Sequence, residues 1–265
     1  MFIVVGLECL LTATFVQTLC VMGQKPAALI VADRAGRAFV RVPHRHLIAV
    51  HDERVDETAY QYNIPLYRVH DWATVPDQFL MQFDTIVVVC YPTLLPAQRF
   101  TLLGIRALSV HPAPLPALRG PDPLFYTARG DVPATITIHQ LDATYDTGDV
   151  LAAAGVHVPP GCDELQLIRI HAMQAAQLYI DVVSSARVAV PQQAGAPVGW
   201  AALPFAEAYT LDPEWPMERT QRFVAMTDAR KHPYWVPGVR QWVHALDPEG
   251  AVQVHCADGV LRARA

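Results

Sequence analysis

The chain has 265 residues, of which 52% are hydrophobic and 17% charged, and its formal net charge at pH 7 is -5. This length suits one large domain with a small appendage, and the acidic charge argues against a general nucleic-acid-binding surface. No apolar run reaches the roughly 20 residues of a membrane span, and the N-terminus lacks a signal-peptide pattern. We therefore expect a cytoplasmic protein with neither a membrane nor nucleic acid as its partner.

The first part of the chain alternates short apolar runs with helical segments. Strands are predicted at residues 2–5, 27–31, 66–69 and 85–90, and helices at residues 10–22 and 53–62. The run at 85–90, TIVVVC, is β-branched with almost no polar alternation, which is typical of a central parallel strand buried on both faces. Repeated strand–helix–strand units of this kind predict an α/β fold with a doubly wound parallel sheet.

Residues 34–46 differ from their surroundings in charge. They carry four arginines and two histidines and no acidic residue, in a protein that is acidic overall. Two interpretations stay open, because such a segment can meet a phosphate group or can be a solvated loop.

Cysteine use favours reduced thiols. The five cysteines are scattered, odd in number and never paired as Cys-x-x-Cys, so we expect neither a disulfide framework nor a zinc site. The loop after the first strand also lacks Gly-x-Gly-x-x-Gly, which argues against a dinucleotide cofactor.

The most informative stretch is residues 109–150. His111 follows a mostly apolar run at residues 105–110 that predicts a strand. A Pro-rich loop, Arg119-Gly120, a short helix and a β-branched strand come next, and then the acidic loop Asp-Thr-Gly-Asp at residues 146–149. Because ligands bind at the carboxyl ends of strands in open α/β sheets, we expect His111 and Asp146 to meet there, at the ends of neighbouring strands.

The second half predicts a different organisation. An amphipathic helix is expected at residues 163–187, a Pro- and Gly-rich linker at residues 190–204, a short helix at residues 216–229, and short strands at residues 239–245, 251–256 and 260–263. This pattern predicts three parts: a catalytic domain (residues 1–189), a linker (residues 190–204) and a small β-rich C-terminal module (residues 205–265).

The motifs HPAPLP, Arg-Gly and Asp-Thr-Gly-Asp, in this order, resemble the formyltransferases that use 10-formyltetrahydrofolate. This family includes methionyl-tRNA formyltransferases and amino-sugar N-formyltransferases, and its core reads roughly Asn-x-His-Pro-Ser-x-Leu-Pro, Arg-Gly and Asp-x-Gly. Residues 215–238 also resemble the segment that leads into the family's small C-terminal domain. The resemblance departs from the family at one active-site position, where Ser109 replaces the asparagine.

The resemblance implies catalytic roles for His111, Asp146 and Ser109. Formyl transfer to an amine passes through a tetrahedral oxyanion, and the amine must lose a proton. His111 would stabilise the oxyanion when protonated or accept the amine's proton when neutral, and Asp146 would accept that proton or tune the imidazole. Ser109 would have to replace the oxyanion-holding amide with a shorter hydroxyl donor.

The resemblance also implies 10-formyltetrahydrofolate as formyl donor, without a metal. The turn at residues 91–96 corresponds to the family's apolar folate-binding turn. The residues assigned to the folate are Tyr91, Leu94, Leu95, Pro96, Asp142 and Asp149. Asp149 has a second interpretation, in which it holds the acidic loop by accepting hydrogen bonds from backbone N–H groups. His139, in the middle of a predicted strand, is interpreted as a packed residue.

The acceptor is expected to be a small or nucleotide-linked amine that can carry a phosphate, with an amino sugar favoured over transfer RNA. Residues assigned to it are Arg119, Gly120, Arg34 and Arg37. Arg119 could instead only fix the Pro-rich loop. A homodimer is compatible with the family. Two alternative functions stay open: a formyltetrahydrofolate hydrolase, with water as acceptor, and a catalytically impaired binding protein of the same fold, suggested by Ser109.

Overall fold

The computed structural model describes residues 1–33, 36, 39–42, 54–185, 187–193, 196 and 198–265. The main helices are α1 (Leu10–Val21), α2 (Val55–Gln61), α3 (Asp77–Leu80), α4 (Ala97–Leu102), α5 (Pro123–Arg129), α6 (Glu164–Ser184) and α7 (Met217–Thr227). The strands of the first two thirds are β1 (Phe2–Gly6), β2 (Ala28–Ala32), β3 (Val40–Val42), β4 (Leu66–Val69), β5 (Thr85–Val89), β6 (Arg106–His111), β7 (Leu118–Arg119), β8 (Thr135–Gln140) and β9 (Val150–Gly155). The remaining strands are β10 (Gly199–Trp200), β11 (Tyr234–Val236), β12 (Gln241–Val243), β13 (Ala245–Leu246), β14 (Val252–Cys256) and β15 (Gly259–Arg264).

An eight-stranded sheet forms the centre of the molecule, in the order β3-β4-β2-β1-β5-β6-β8-β9. Its five middle strands are parallel, which confirms the predicted doubly wound α/β fold. The edges differ from the prediction, because β3, β8 and β9 run antiparallel to their neighbours. The connection between β8 and β9, residues 141–149, is too short for a crossover and therefore returns the chain in the opposite direction.

The two faces of the sheet bury alternate residues of each strand. On one face, Val87 and Val89 of β5 join the core under α1 and α6, where Phe15 and Tyr179 are buried. On the other face, Ile86 and Val88 pack with a second cluster that contains Trp72 and Phe100. Burial on both faces is what the β-branched run of this strand predicts. The face that carries Ile86 and Val88 is also the face of the candidate site.

A separate hydrophobic cluster holds the C-terminal residues together. Trp215 and Phe223, at the entry and in the middle of α7, pack with Tyr209, Tyr234 and the inward residues of β14 and β15. Phe125 of α5 belongs to the same cluster, so the first part of the chain contributes to this core. The strands form a two-stranded ladder of β11 and β12 and a three-stranded sheet in the order β13-β15-β14.

The segment predicted as a linker pairs with the main sheet region at two places. Val190 exchanges two backbone hydrogen bonds of 2.8 Å with Val150 at the start of β9. Further on, β10 runs parallel to β7, with Trp200 opposite Arg119. In the described residues, no helix is both long and apolar enough to span a membrane.

Candidate active site

His111 is the last residue of β6 and is 5% exposed. Its Nε2 lies 2.8 Å from the carbonyl oxygen of Leu118, at the end of the Pro-rich loop. Because a carbonyl oxygen can only accept, Nε2 must carry the hydrogen and donate it. In the neutral imidazole the other nitrogen, Nδ1, then presents a lone pair, and it faces Asp146 at 3.6 Å from Oδ1.

His139 brings a second imidazole to the same carboxylate. It lies on β8 opposite Ser109, is 2% exposed, and has its Nδ1 2.7 Å from the carbonyl oxygen of Gln140. Nδ1 is therefore the donor, and Nε2 lies 3.6 Å from Asp146 Oδ1, where it presents a lone pair in the neutral imidazole and a hydrogen in the protonated one. His139 is buried, as its interpretation as a packed residue requires, but the sequence analysis did not predict that its ring lies beside the Asp146 carboxylate. The signal was the alternation in TITIHQ, which sets Thr137 and His139 on one face of β8 and the buried isoleucines on the other.

Asp146 reaches the two histidines from the loop between β8 and β9. Its Oδ2 accepts the backbone N–H of Gly120 at 2.9 Å, and its own backbone has φ +56°. Asp146 follows the carboxyl end of β8, which neighbours β6, but this end and the end of β6 do not share one edge of the sheet. Because β8 is antiparallel to β6, the chain leaves β8 beside Leu108 in the middle of β6, and the loop then folds back across the face of the sheet.

Burial and charge act on the two groups in opposite ways. Burial lowers the pKa of His111 below its usual 6.5, although the nearby Asp146 carboxylate and the Leu118 carbonyl partly oppose this shift. Burial alone would raise the pKa of Asp146. The contacts with His139 and His111 and the Gly120 N–H outweigh it and hold the pKa below the usual 3.8. Near neutral pH the arrangement therefore contains an ionised carboxylate beside a neutral His111.

Two glycines explain the Arg-Gly and Asp-x-Gly motifs. Gly120 has φ +114°, and a Cβ at this position would come within 2.9 Å of the Ala201 carbonyl oxygen. A Cβ at Gly148 would lie 1.9 Å from the carbonyl oxygen of Gln140. Only glycine therefore lets the acidic loop pass this close to the end of β8.

Gln192, from the segment predicted as a linker, ties these loops together. Its side-chain amide donates to the carbonyl oxygens of Asp146 at 2.8 Å and Gly148 at 2.9 Å. Its Oε1 accepts from the guanidinium of Arg119 at 2.6 Å. Arg119 is thus linked through Gln192 to the acidic loop, a contact that neither of its two interpretations named. The composition of the segment gave no signal for this role of Gln192.

Ser109 precedes His111 by two residues on β6, so both side chains belong to the same face of the sheet. It is half-buried and pairs with His139 on one side and with Val88 of β5 on the other. Ser109, which replaces the family's asparagine, therefore lies next to both histidines on the sheet.

A cavity of about 630 Å³ opens on this face and is lined by residues 70–73 and 93–96. Of the residues assigned to the folate, Leu94, Leu95 and Pro96 line it. Tyr91 is not part of this lining, but its hydroxyl accepts a hydrogen bond of 3.0 Å from Nε1 of the lining residue Trp72. Leu95, Trp72 and Tyr91 belong to the hydrophobic cluster that also contacts Ala107 of β6 and Leu141, so the cavity wall packs on the same face of the sheet as the histidines.

The other assigned residues lie elsewhere. Asp142 accepts hydrogen bonds from Ala143 N–H and from the Thr147 hydroxyl, and so shapes the acidic loop. The backbone of Asp149 accepts from Gln140 N–H at 2.8 Å. Neither residue belongs to the lining that the described residues form around the cavity.

The basic segment contributes little to the described site. Arg34 and Arg37 lie outside the described residues. Arg41, from the same segment, is exposed on β3. Four strands separate β3 from β6, which amounts to about 24 Å at the usual spacing of neighbouring strands. Arg41 therefore does not border the site around His111.

Across the described ranges, no group of three or more His, Cys, Asp and Glu side chains is arranged to hold a metal ion.

Comparisons with known proteins agree on one family. The family model for formyl transferase matches residues 37–183, which is more than half of the chain. The methionyl-tRNA formyltransferase of Ehrlichia chaffeensis is 30% identical over 121 residues, a match that covers 45% of this chain and 37% of the relative. The chain thus spans well under half the length of this curated relative.

Solved structures agree at the level of fold. An N-formyltransferase from Helicobacter canadensis, solved with folinic acid and dTDP-3-aminofucose, has a TM-score of 0.61 at 9% identity and matches 100% of this chain and 99% of its own. The sugar 3N-formyltransferase WlaRD, solved with dTDP and 5-N-formyl-THF, has a TM-score of 0.60 at 9% identity and matches 99% of this chain and 97% of its own. With the family model, the motifs and the shared fold in agreement, the chain belongs to the formyl transferase family.

Proposed function

We propose that this protein transfers a formyl group from 10-formyltetrahydrofolate to the amine of a small or nucleotide-linked acceptor, with an amino sugar favoured over transfer RNA. Membership of the formyl transferase family supports the class of reaction. The observation that carries the proposal is the convergence of three proton-accepting atoms. Nδ1 of His111 and Nε2 of His139 each lie 3.6 Å from Oδ1 of Asp146.

The cavity of about 630 Å³ is the proposed site of the donor. Its volume lies within the range of about 300–1,000 Å³ that small-molecule sites occupy. When bound, the donor supplies the formyl carbon. Trp72, Leu94 and Pro96 would contact a flat ring, and the hydroxyl of Thr93 and nearby backbone groups would meet its polar edge.

The three acceptor atoms fit an attacking amine. Both imidazoles are held by backbone carbonyls in tautomers that turn a lone pair toward Asp146. The gaps of 3.6 Å are too long for direct hydrogen bonds, so a donor is needed between these atoms to satisfy them. A primary amine beside them can donate to two of them, and an ammonium can donate to all three. His111 or Asp146 would then accept the proton that the amine loses as it attacks.

Ser109 is the proposed donor to the developing oxyanion. His111 Nε2–H is already engaged by Leu118, so this N–H stabilises the loop and not the reacting oxygen. The Ser109 hydroxyl lies on the same face of β6 and would have to reach the oxygen directly or through water. Losing one such donor typically costs about 100- to 1,000-fold in rate.

An aromatic pair beside the acidic loop supports a nucleotide-linked acceptor. Tyr145 directly precedes Asp146, and Trp200 lies opposite Arg119 on β10. Their rings are 6.3 Å apart, centroid to centroid, and both side chains are exposed, Tyr145 by 43% and Trp200 by 54%. Exposed aromatic faces suit stacking with a flat base. Arg119 and Gly120 would border the acceptor, and a phosphate contact by Arg34 and Arg37 stays a prediction.

The test is an assay of tetrahydrofolate release from 10-formyltetrahydrofolate, with and without a panel of nucleotide-linked amino sugars, free amino sugars and aminoacylated transfer RNA. Release that depends on an amino sugar supports the proposal. Release without any acceptor would instead identify a hydrolase, and binding without turnover a binding protein. Asp146→Asn and His111→Asn should each lower turnover by about 100-fold or more, whereas His157→Asn, an exposed histidine after β9, should not.

The substitution Ser109→Asn tests the proposed oxyanion donor. If the serine serves only as a shortened substitute for the family's amide, this variant should raise formyl transfer or leave it unchanged. A sharp loss of turnover with unchanged folate binding would show that the hydroxyl has chemistry of its own and would overturn this assignment.

A further inference from the structure

A second cavity, of about 360 Å³, lies away from the histidines at the junction of α5, α6, α7 and the end of β9. Its apolar lining residues include Val156 and Val158 after β9, Leu167 of α6 and Met226 of α7. The polar side chains of the lining are those of Thr127, Asp131 and Arg222; Thr127 is buried and Arg222 is exposed.

Arg222 is an exposed cation that no described residue neutralises. The neighbouring arginines, Arg129 and Arg219, both pair with Asp131, at 3.3 and 2.8 Å. In the described part of the chain, no hydrogen bond or ion pair joins the Arg222 guanidinium to another residue. The cluster therefore holds three guanidinium groups and one carboxylate, an excess of positive charge in an otherwise acidic protein.

The position of Arg222 depends on Gly130, the residue after α5. Gly130 has φ +80°, and a Cβ there would come within 2.6 Å of Nη2 of Arg222. The absence of this side chain lets the guanidinium lie against the end of α5. The negative end of the helix dipole also favours a cation at this point.

Thr127 is the second unsatisfied group of the cavity. It is 7% exposed, and its Oγ1 has no hydrogen-bond partner among the described residues. Buried hydroxyls are almost always bonded, because an unsatisfied one costs the free energy of its lost hydration. A buried donor and an unneutralised cation thus line the same small cavity, and the third polar side chain there, the Asp131 carboxylate, is already paired with Arg129 and Arg219.

We propose that this cavity binds a small organic anion, a carboxylate with a short apolar chain, and that it is a site distinct from the candidate active site. Arg222 would bind the carboxylate in a charge-assisted hydrogen bond. The hydroxyl of Thr127 would donate to one of its oxygens, and Val156, Val158, Leu167 and Met226 would contact the chain. Because α5, α6 and α7 all line the cavity, the ligand joins the C-terminal residues to the main domain.

Hexanoate, hexan-1-ol and acetate separate recognition of the charge from recognition of the apolar chain. Their affinities for the full chain are measured by titration calorimetry. Hexanoate should bind with a Kd of about 1 mM or tighter. Hexan-1-ol, which lacks the charge, and acetate, which lacks the chain, should each bind at least about tenfold more weakly. Hexanoate should also raise the unfolding temperature of the protein.

Three variants complete the test. Arg222→Gln should weaken hexanoate at least about tenfold and leave hexan-1-ol unchanged. Thr127→Val, which keeps the shape of the side chain, should weaken hexanoate several-fold. Arg262→Gln removes the same charge from an exposed position on β15 and should change nothing. Absence of hexanoate binding, equal affinity for hexanoate and hexan-1-ol, or undiminished binding by Arg222→Gln would each overturn the proposal.

Discussion

The carbonyl oxygen of Leu118 accepts the Nε2–H of His111 at 2.8 Å, and this contact fixes which nitrogen of the imidazole can take up a proton. The free lone pair lies on Nδ1, toward Asp146. The Pro-rich loop therefore has a chemical effect as well as a structural one, because its last residues determine the tautomer of the proposed base.

The pH dependence of turnover should report this base. Since burial lowers the pKa of His111 below 6.5, the imidazole stays neutral as the pH falls to 6.5, and kcat/KM should decrease only below that value. In Asp146→Asn the residual kcat/KM should begin to fall only at still lower pH, because the carboxylate that raises the pKa of His111 is gone. The measurement is kcat/KM against pH for both proteins. A midpoint of the acidic decrease at or above pH 6.5 in the wild type would contradict the prediction.

Substituting Gly148 or Gly155 by alanine should have very different effects on the free energy of unfolding. Gly148→Ala would set a Cβ 1.9 Å from the Gln140 carbonyl oxygen, so the loop or the strand end must move. We expect a loss of about 3 kcal/mol or more in the free energy of unfolding, measured with denaturant. Gly155→Ala meets no atom within 4 Å and should stay within about 0.5 kcal/mol of wild type. Similar stabilities for the two variants would mean that the loop is not held against β8.

Gln192→Ala tests the contact between the segment at residues 190–204 and the site. The change removes hydrogen bonds to the carbonyls of Asp146 and Gly148 and to Arg119. We expect the free energy of unfolding to fall by about 1–3 kcal/mol, and kcat/KM to fall by up to about 100-fold as Asp146 loses its position. Gln193→Ala, at the exposed neighbouring position, is the control and should resemble wild type. Wild-type kcat/KM in Gln192→Ala would show that Asp146 is positioned without it.

Cys9 should be the most reactive thiol among the residues described. A hydrogen bond from Cys90, with further ones from Thr12 and from backbone N–H groups at the start of α1, outweighs burial and lowers the pKa of Cys9 below its usual value. Alkylation by iodoacetamide should therefore begin at lower pH at this residue than at an ordinary thiol. Cys20 is the internal control, since burial raises its pKa to about 11. Mass spectrometry of the labelled peptides measures both rates, and faster labelling of Cys20 at pH 7 would refute the assignment.

The sequence predicted the parallel middle of the sheet better than its edges. The TIVVV part of this run is buried on both faces as β5, because a β-branched run without polar alternation suits that environment, whereas Cys90 lies after the strand and is exposed. The direction of β8 and β9 depends on the length of their connection and on neighbouring strands, which a local pattern does not contain. The pairing of β10 with β7 could not be predicted for the same reason, since it joins Trp200 to Arg119 across a long sequence separation.

In the site, too, some residues could be predicted from the sequence and others could not. The motifs led to His111, Asp146 and the two loop glycines, because each needs a particular side chain or a close backbone approach. His139 and Gln192 carry no motif, and only the pairing of Ser109 with His139 and the path of residues 190–204 bring them into the site. Their roles follow from tertiary contacts that a reading of local composition does not provide.

The ladder between β10 and β7 has a consequence for recombining this protein with its relatives. Val190, Gln192 and Trp200 lie C-terminal to the catalytic part in sequence but are anchored to it in space. A chimera that exchanged the C-terminal module at residue 190 would remove the anchors of the acidic loop together with the module. Among the described residues before position 204, the last such tether joins the Tyr126 hydroxyl to the Ala202 carbonyl at 3.2 Å, so a crossover point after residue 203 would keep these anchors of the acidic loop in the parent half.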